Sequence, residues 1–106
     1  MLKDQSCVPC RGGVPPLPKE KADQYLCETP DWRVDGSKIV REFTFKNFKD
    51  AMAFVNDVAD IAEEQGHHPD IFIHWNKVRL ELYTHKIGGL HENDFILAAK
   101  IDALMA

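Results

Sequence analysis

The sequence contains no long hydrophobic run. Its longest uninterrupted apolar stretches, residues 51–55 and 95–99, have five residues each. A membrane-spanning helix needs roughly 20 apolar residues, so we expect no membrane span. The first five residues also lack the apolar segment of a secretory signal. These two absences favour a cytoplasmic protein.

Basic residues and cysteines are both scarce. Thirteen Lys and Arg stand against 17 Asp and Glu, which gives a net charge of −4. Because nucleic-acid binding draws on clustered basic side chains, we expect no nucleic-acid partner. The three cysteines are an odd number, so a complete disulfide framework is not expected and a reducing compartment fits better.

The chain length of 106 residues, 44% of them hydrophobic and 28% charged, suits one modest globular domain. Residues 1–18 are rich in Pro, Gly and Cys and are predicted to be a lead-in segment, because Pro and Gly interrupt helix and strand periodicity. Residues 19–106 are predicted to form the domain.

Within this domain the pattern alternates between hairpins and helices. Helices are predicted over 19–26, 48–65 and 92–104, and hairpins over 32–45 and 71–83. For the central helix, Asn47 is the expected N-cap and Gly66 the expected left-handed residue at the end. The prediction is an α+β fold, an antiparallel sheet of two hairpins with helices packed on one face.

The second hairpin allows a prediction of register. If Asn76-Lys77 is the turn, then Ile73 faces Leu80 and the neighbouring pairs Ile71–Leu82 and Trp75–Val78 also join core residues. Pro69 ends the ladder of backbone hydrogen bonds, because proline has no N–H to donate. Extending the register one residue past Pro69 places His68 opposite His85. We therefore expect two histidines to meet where the sheet stops.

His67 adds a third imidazole just after the central helix. Imidazole is well suited to proton transfer near neutral pH, since its unperturbed pKa is about 6.5. Glu63 lies one helical turn earlier and Asp94 lies in the first turn of the last helix, so that either carboxylate could orient a histidine. His74 and His91 are interpreted as ordinary surface residues. Neither His68 nor His85 is expected to build the core, and replacing His67 or His85 with alanine is expected to change stability little.

The run Glu63-x3-His67-His68-Pro69-x5-Trp75-x9-His85-x8-Asp94 resembles the signature of the pterin-4a-carbinolamine dehydratases. Trp32, Asn47-Phe48 and Thr84-His85 are also similar to family features, so the resemblance covers about residues 25–104. His91 stands where a Ser or Thr helix cap would be expected, which predicts a weaker cap.

The resemblance implies a hydro-lyase that dehydrates 4a-hydroxytetrahydropterin (4a-hydroxytetrahydrobiopterin) to quinonoid dihydropterin and water, in tetrahydrobiopterin recycling. It implies no metal and no cofactor. It implies three catalytic histidines: His67 and His85 as the acid/base pair, and His68 to orient the pterin and to share in proton transfer. The residues it implies for substrate binding are Glu63, Gly66, Pro69, Tyr83, Thr84, Lys86, Asp94 and Trp32.

Two other functions stay open. Cys7-x2-Cys10 has zinc-like spacing, although structural zinc takes four ligands and no second such pair is present. The chain could also be a binding module, because some members of the resembled family serve as dimerisation cofactors of a transcription factor through the last helix.

Assembly is predicted from that last helix. Its apolar residues spread around more than one face, whereas a surface helix needs only one apolar stripe. We therefore expect a homo-oligomer, a dimer or a tetramer, whose interface includes Ile101 or Leu104.

Overall fold

The computed structural model describes residues 1–8 and 15–105. In these two ranges the helices are α1 (Lys19–Leu26), α2 (Phe48–Gln65) and α3 (Glu92–Leu104), and the strands are β1 (Arg33–Asp35), β2 (Lys38–Thr44), β3 (Asp70–His74) and β4 (Lys77–Leu82). Short 3-10 turns cover Leu2–Asp4 and His85–Ile87. No helix in these ranges is long and apolar enough to cross a membrane.

The four strands form one antiparallel sheet in the order β1-β2-β4-β3. Both predicted hairpins are present, and β2 pairs with β4 to join them. The buried side chains of the sheet, among them Phe43, Leu80 and Leu82, share one core with Phe54 of α2 and Phe95 of α3. The predicted α+β fold is confirmed.

The bounds of α2 follow from its two ends. The Asn47 side chain accepts a hydrogen bond from the Asp50 N–H at 2.8 Å, as expected of an N-cap. At the other end Gly66 has φ 65°, the left-handed conformation that glycine adopts without a steric penalty. The predicted helix over 48–65 is confirmed, and its end delivers His67 directly after the turn.

The predicted register of the second hairpin is wrong by two residues. Ile73 pairs with Val78 and Ile71 with Leu80, so the turn is Trp75-Asn76, and Trp75 takes a φ of 52°. Asn76 fixes this turn by exchanging hydrogen bonds with the backbone of Phe45 at the end of β2, at 2.8 and 2.9 Å. A pattern within one hairpin cannot show that contact with a third strand.

This shift separates the two histidines that were predicted to face each other. A two-residue slip keeps every side chain on the same face, but it moves the position opposite His68 away from His85. Strand β4 ends at Leu82, and His85 lies in the 3-10 turn that follows. The two histidines therefore do not form a cross-strand pair.

The hairpin also contributes less to the core than predicted. Val78, Leu80 and Leu82 are buried, but Ile73 is 41% and Trp75 is 64% exposed. Trp75 is exposed because it lies in the turn, and Ile73 because β3 is an edge strand. The edge of the sheet therefore carries apolar side chains that the chain itself leaves uncovered.

Helix α3 is apolar on more than one face because the chain itself covers it on more than one side. Leu2 of the N-terminal 3-10 turn is 1% exposed, and the ring of Tyr25 of α1 packs tilted against that of Phe95, with ring centroids 5.3 Å apart. Ile101 is fully buried, whereas Leu104 is 39% exposed. Ile101 is therefore unsuited to the predicted subunit interface, and part of the lead-in contributes to the core.

The expectation of a weak cap at His91 is wrong. The His91 Nδ1 atom accepts a hydrogen bond from the Asn93 N–H at 3.0 Å. In return an Asp94 carboxylate oxygen accepts one from the His91 N–H at 2.9 Å, which completes a capping box. An imidazole nitrogen thus replaces the hydroxyl oxygen of a Ser or Thr cap.

Candidate active site

The three predicted histidines line one cleft of about 600 Å³. The cleft lies where the end of α2, the end of β4 and the N-terminal segment meet. Its lining includes most of the predicted site residues: Gly66, His67, His68, Pro69, Tyr83, Thr84, His85 and Lys86. Although the register was wrong, the fold still brings the trio together.

His67 is held by Asp94 in the first turn of α3. The His67 Nε2 atom lies 2.6 Å from Asp94 Oδ1, and Asp94 is fully buried. The other carboxylate oxygen accepts hydrogen bonds from the Thr84 hydroxyl at 3.0 Å and from the His91 N–H. A carboxylate only accepts, so a neutral His67 carries its proton on Nε2 and has its lone pair on Nδ1.

Asp94 also joins two parts of the cleft wall. Through His67 it fixes the chain after α2, and through Thr84 it fixes the chain after β4. Thr84 is further held by backbone hydrogen bonds with Gly89, of which the Thr84 N–H to Gly89 carbonyl bond is 2.9 Å long. One buried carboxylate therefore sets the distance between the segment of His67 and the segment of His85.

His68 and His85 are held more loosely than His67. The His68 Nε2 atom is 2.5 Å from Glu63 Oε2, but the side chains are 58% and 78% exposed. Exposed pairs of this kind contribute little to stability. His85 is exposed, and its ring lies 4.2 Å from the ring of Tyr83. His67 itself is 9% exposed, so it is more buried than the sequence suggested.

Glu63 and Asp94 are absent from the cleft lining but contact histidines that line it. Trp32 is different, because the structure does not bring it to the cleft. Its indole N–H donates to Asp102 of α3 at 2.8 Å, and its side chain is buried in the core. Burial raises the pKa of Asp102, and the hydrogen bonds from Trp32 and Arg41, which act to lower this pKa, offset the rise only in part. Trp32 therefore packs in the core and does not line this cleft, and its role in substrate binding stays a prediction.

Four lining residues were missed: Cys7, Val8, Gln65 and Asp70. Gln65 and Asp70 flank the Gly66–Pro69 run and could have been inferred from adjacency. Cys7 and Val8 lie about 60 residues earlier in the sequence, and nothing in the local pattern points to the cleft.

The zinc interpretation rests on a residue outside the described ranges. Within residues 1–8 and 15–105, no three His, Cys, Asp or Glu side chains are grouped so that they could hold a metal ion. Cys10 of the Cys7-x2-Cys10 pair lies in the 9–14 gap, so the structure does not test this pair.

The arrangement suits proton transfer. A buried, oriented imidazole and two more accessible ones share a cleft with a hydroxyl, a lysine and a tyrosine. Positioned imidazoles of this kind act as general acids and bases near neutral pH. The cleft is also large enough for a small heterocyclic molecule.

Comparison with known proteins identifies the family of this chain. The family model for pterin 4 alpha carbinolamine dehydratase matches residues 15–104. Curated relatives from Halorhodospira halophila and Aromatoleum aromaticum, both provisionally named pterin-4-alpha-carbinolamine dehydratase, are each 51% identical. The alignment with the first relative covers 99% of this chain and 98% of that relative, and the alignment with the second covers 97% of this chain and 94% of that relative.

Two solved structures are similar in fold. One is described as a transcriptional coactivator/pterin dehydratase from Brucella melitensis, with TM-score 0.81 and 34% identity over 86% of this chain and 99% of that one. The other is a pterin dehydratase-like protein identified as a RuBisCO assembly factor in the alpha-carboxysome, with TM-score 0.61 and 28% identity over 70% and 88%. On this combined evidence the chain belongs to the pterin 4 alpha carbinolamine dehydratase family.

Proposed function

We propose that the protein is a hydro-lyase that converts 4a-hydroxytetrahydropterin to quinonoid dihydropterin and water, in the cytoplasmic recycling of tetrahydrobiopterin. The observation that carries the proposal is the bridge from buried Asp94 to His67 and Thr84. This bridge supports an oriented imidazole in the same cleft as His85 and His68.

The reaction breaks the C4a–O bond and removes the proton from N5. A general acid donates a proton to the C4a oxygen, so that water leaves instead of hydroxide. A general base takes the N5 proton, and that electron pair forms the new C=N bond. Atoms and charges balance with two proton transfers and no change in oxidation state, so the reaction requires no redox cofactor.

We assign the two proton transfers to His67 and His85. Asp94 keeps the His67 proton on Nε2 and thereby leaves Nδ1 as the basic atom. His68, tethered by Glu63, binds the pterin, together with cleft residues such as Tyr83 and Lys86. The test is the rate of dihydropterin formation from 4a-hydroxytetrahydropterin, which the protein should raise above the spontaneous rate.

The zinc alternative has a direct test. Because proton transfer by imidazoles needs no electrophilic metal, activity should survive dialysis against a chelator. Zinc content and dehydratase rate are measured before and after dialysis. Loss of activity that added zinc restores would favour the metal interpretation. Stoichiometric zinc that is lost in the Cys7→Ser and Cys10→Ser proteins would also favour it.

A second candidate function is a binding role. It is favoured by the Brucella melitensis structure, which is described as both a coactivator and a dehydratase. Such a role would use an exterior surface, so a variant without His85 should retain it while losing dehydration. A gene for an aromatic amino-acid hydroxylase beside this one would instead favour the enzyme.

We also propose that the chain forms a homo-oligomer. Edge strand β3 and its turn expose Phe72, Ile73 and Trp75, and an edge strand carries unpaired backbone groups that a second copy can satisfy. We expect sedimentation at micromolar concentration to show an oligomer and Ile73→Lys to weaken it. A wild-type protein that sediments only as a monomer would contradict this proposal.

A further inference from the structure

The N-terminal strap, defined here as residues 5–8, forms part of the cleft wall. Cys7 and Val8 line the cleft beside the histidines. Both lie before residue 15, where the match to the family model begins. This wall is therefore supplied by a part of the chain that the family model does not include.

The strap is tied to the same two helix ends that position His67. At the end of α2, the Gln65 side chain accepts a hydrogen bond from the Cys7 N–H at 2.8 Å. At the start of α3, the Asn93 amide accepts one from the Val8 N–H at 3.0 Å and donates one to the Val8 carbonyl at 2.6 Å. Asn93 is 1% exposed and adjoins Asp94.

These two hydrogen bonds from the Asn93 side chain hold the Val8 backbone in place without burying the Val8 side chain. Val8 remains 57% exposed although its N–H and carbonyl are both bound. Small-molecule sites typically combine apolar contact surface with a few placed polar groups. A fixed, exposed valine among histidines gives such a surface to one face of a flat heterocycle.

We propose that the strap is a substrate-binding wall, in which Val8 contacts the pterin and Asn93 is a positioning residue that acts through Val8. This inference rests on the proposed function. It assigns Val8 and Asn93 to binding, because neither side chain transfers a proton at neutral pH.

The test separates KM from kcat in three variants. Asn93→Leu removes both hydrogen bonds to Val8 and should raise KM about tenfold. Val8→Ala removes two methyl groups from an exposed side chain, which leaves folding intact, and should raise KM about threefold. In both variants kcat should stay within about twofold of wild type, because His67 and His85 are unchanged.

Lys100→Met is the matched control. Lys100 ties the same N-terminal segment through the Lys3 carbonyl at 2.8 Å, outside the cleft, so its loss should leave KM unchanged. If Asn93→Leu and Val8→Ala keep the wild-type KM, or lower kcat alone, the strap proposal is overturned.

Binding of biopterin, a stable oxidised pterin, separates this failure from failure of the proposed function. A wild-type protein that binds biopterin but does not dehydrate would overturn the proposed function alone, and the biopterin Kd of the variants would then test the strap. A wild-type protein that neither dehydrates nor binds biopterin would overturn both.

Discussion

Replacing His85 with alanine should lower kcat by roughly 10²-fold or more, the effect expected for a lost proton-transfer group. The free energy of unfolding should change by less than about 0.5 kcal/mol, because the His85 side chain is exposed in the cleft and outside the core. Steady-state kinetics and urea unfolding on the same preparation measure both quantities.

The matched control is His74→Ala, since His74 is an exposed histidine on β3 that does not line the cleft. It should retain wild-type activity. His68→Ala should raise KM more than it lowers kcat, because His68 is assigned to binding. If His85→Ala unfolds readily while its folded fraction stays fully active, the assignment of His85 is wrong.

His67→Ala should lower kcat as strongly but should also destabilise the protein. His67 is 9% exposed and bonded to a fully buried carboxylate, so its removal leaves Asp94 Oδ1 without that partner. A loss of about 1–3 kcal/mol in the free energy of unfolding is expected. The two histidine variants should therefore differ in stability and agree in activity.

Asp94→Ala should have the largest combined effect. The carboxylate is fully buried and receives hydrogen bonds from His67, Thr84 and the His91 N–H. Its removal leaves buried hydrogen-bond donors without an acceptor and breaks the capping box of α3. We expect this to lower the free energy of unfolding by about 3 kcal/mol. The kcat of the remaining folded protein should fall at least tenfold, because nothing fixes the tautomer or the orientation of His67.

Asp70→Asn is the control for this variant, since Asp70 lines the cleft but is exposed. Its unfolding free energy should match that of wild type. Urea midpoints for the two variants give the comparison. An Asp94→Ala protein as stable as Asp70→Asn would show that the bridge does not hold the cleft together.

The fold was predictable wherever one local signal decided it. Asn47 and Gly66 mark the ends of α2, and both act as their residue types require. The hairpin register was not predictable, because Asn76 binds the backbone of Phe45, which directly follows the third strand, β2. Pairing Ile73 with either Leu80 or Val78 keeps the apolar side chains of the hairpin on the same inward face. The contact between Asn76 and Phe45 selects the pairing with Val78.

The histidines of the candidate site were predicted from residue types and the resemblance, but the contacts that hold them in place were not. The sequence placed His67, His68 and His85 together for a partly wrong reason, a cross-strand pair that does not form. The carboxylate bridge from Asp94 to Thr84 joins the end of β4 to the start of α3, and the two residues are ten positions apart. The strap lies farther still from the histidines, so no periodicity could place it in the cleft.

The most direct test is the dehydration assay on freshly formed 4a-hydroxytetrahydropterin, with the spontaneous rate measured in parallel. We expect the rate to rise in proportion to the amount of wild-type or His74→Ala protein, and an equal amount of His85→Ala protein to add at most about a hundredth of that increase. A wild-type rate no higher than the spontaneous rate would contradict the proposed dehydratase activity, and full activity in the His85→Ala protein would contradict the catalytic role of His85.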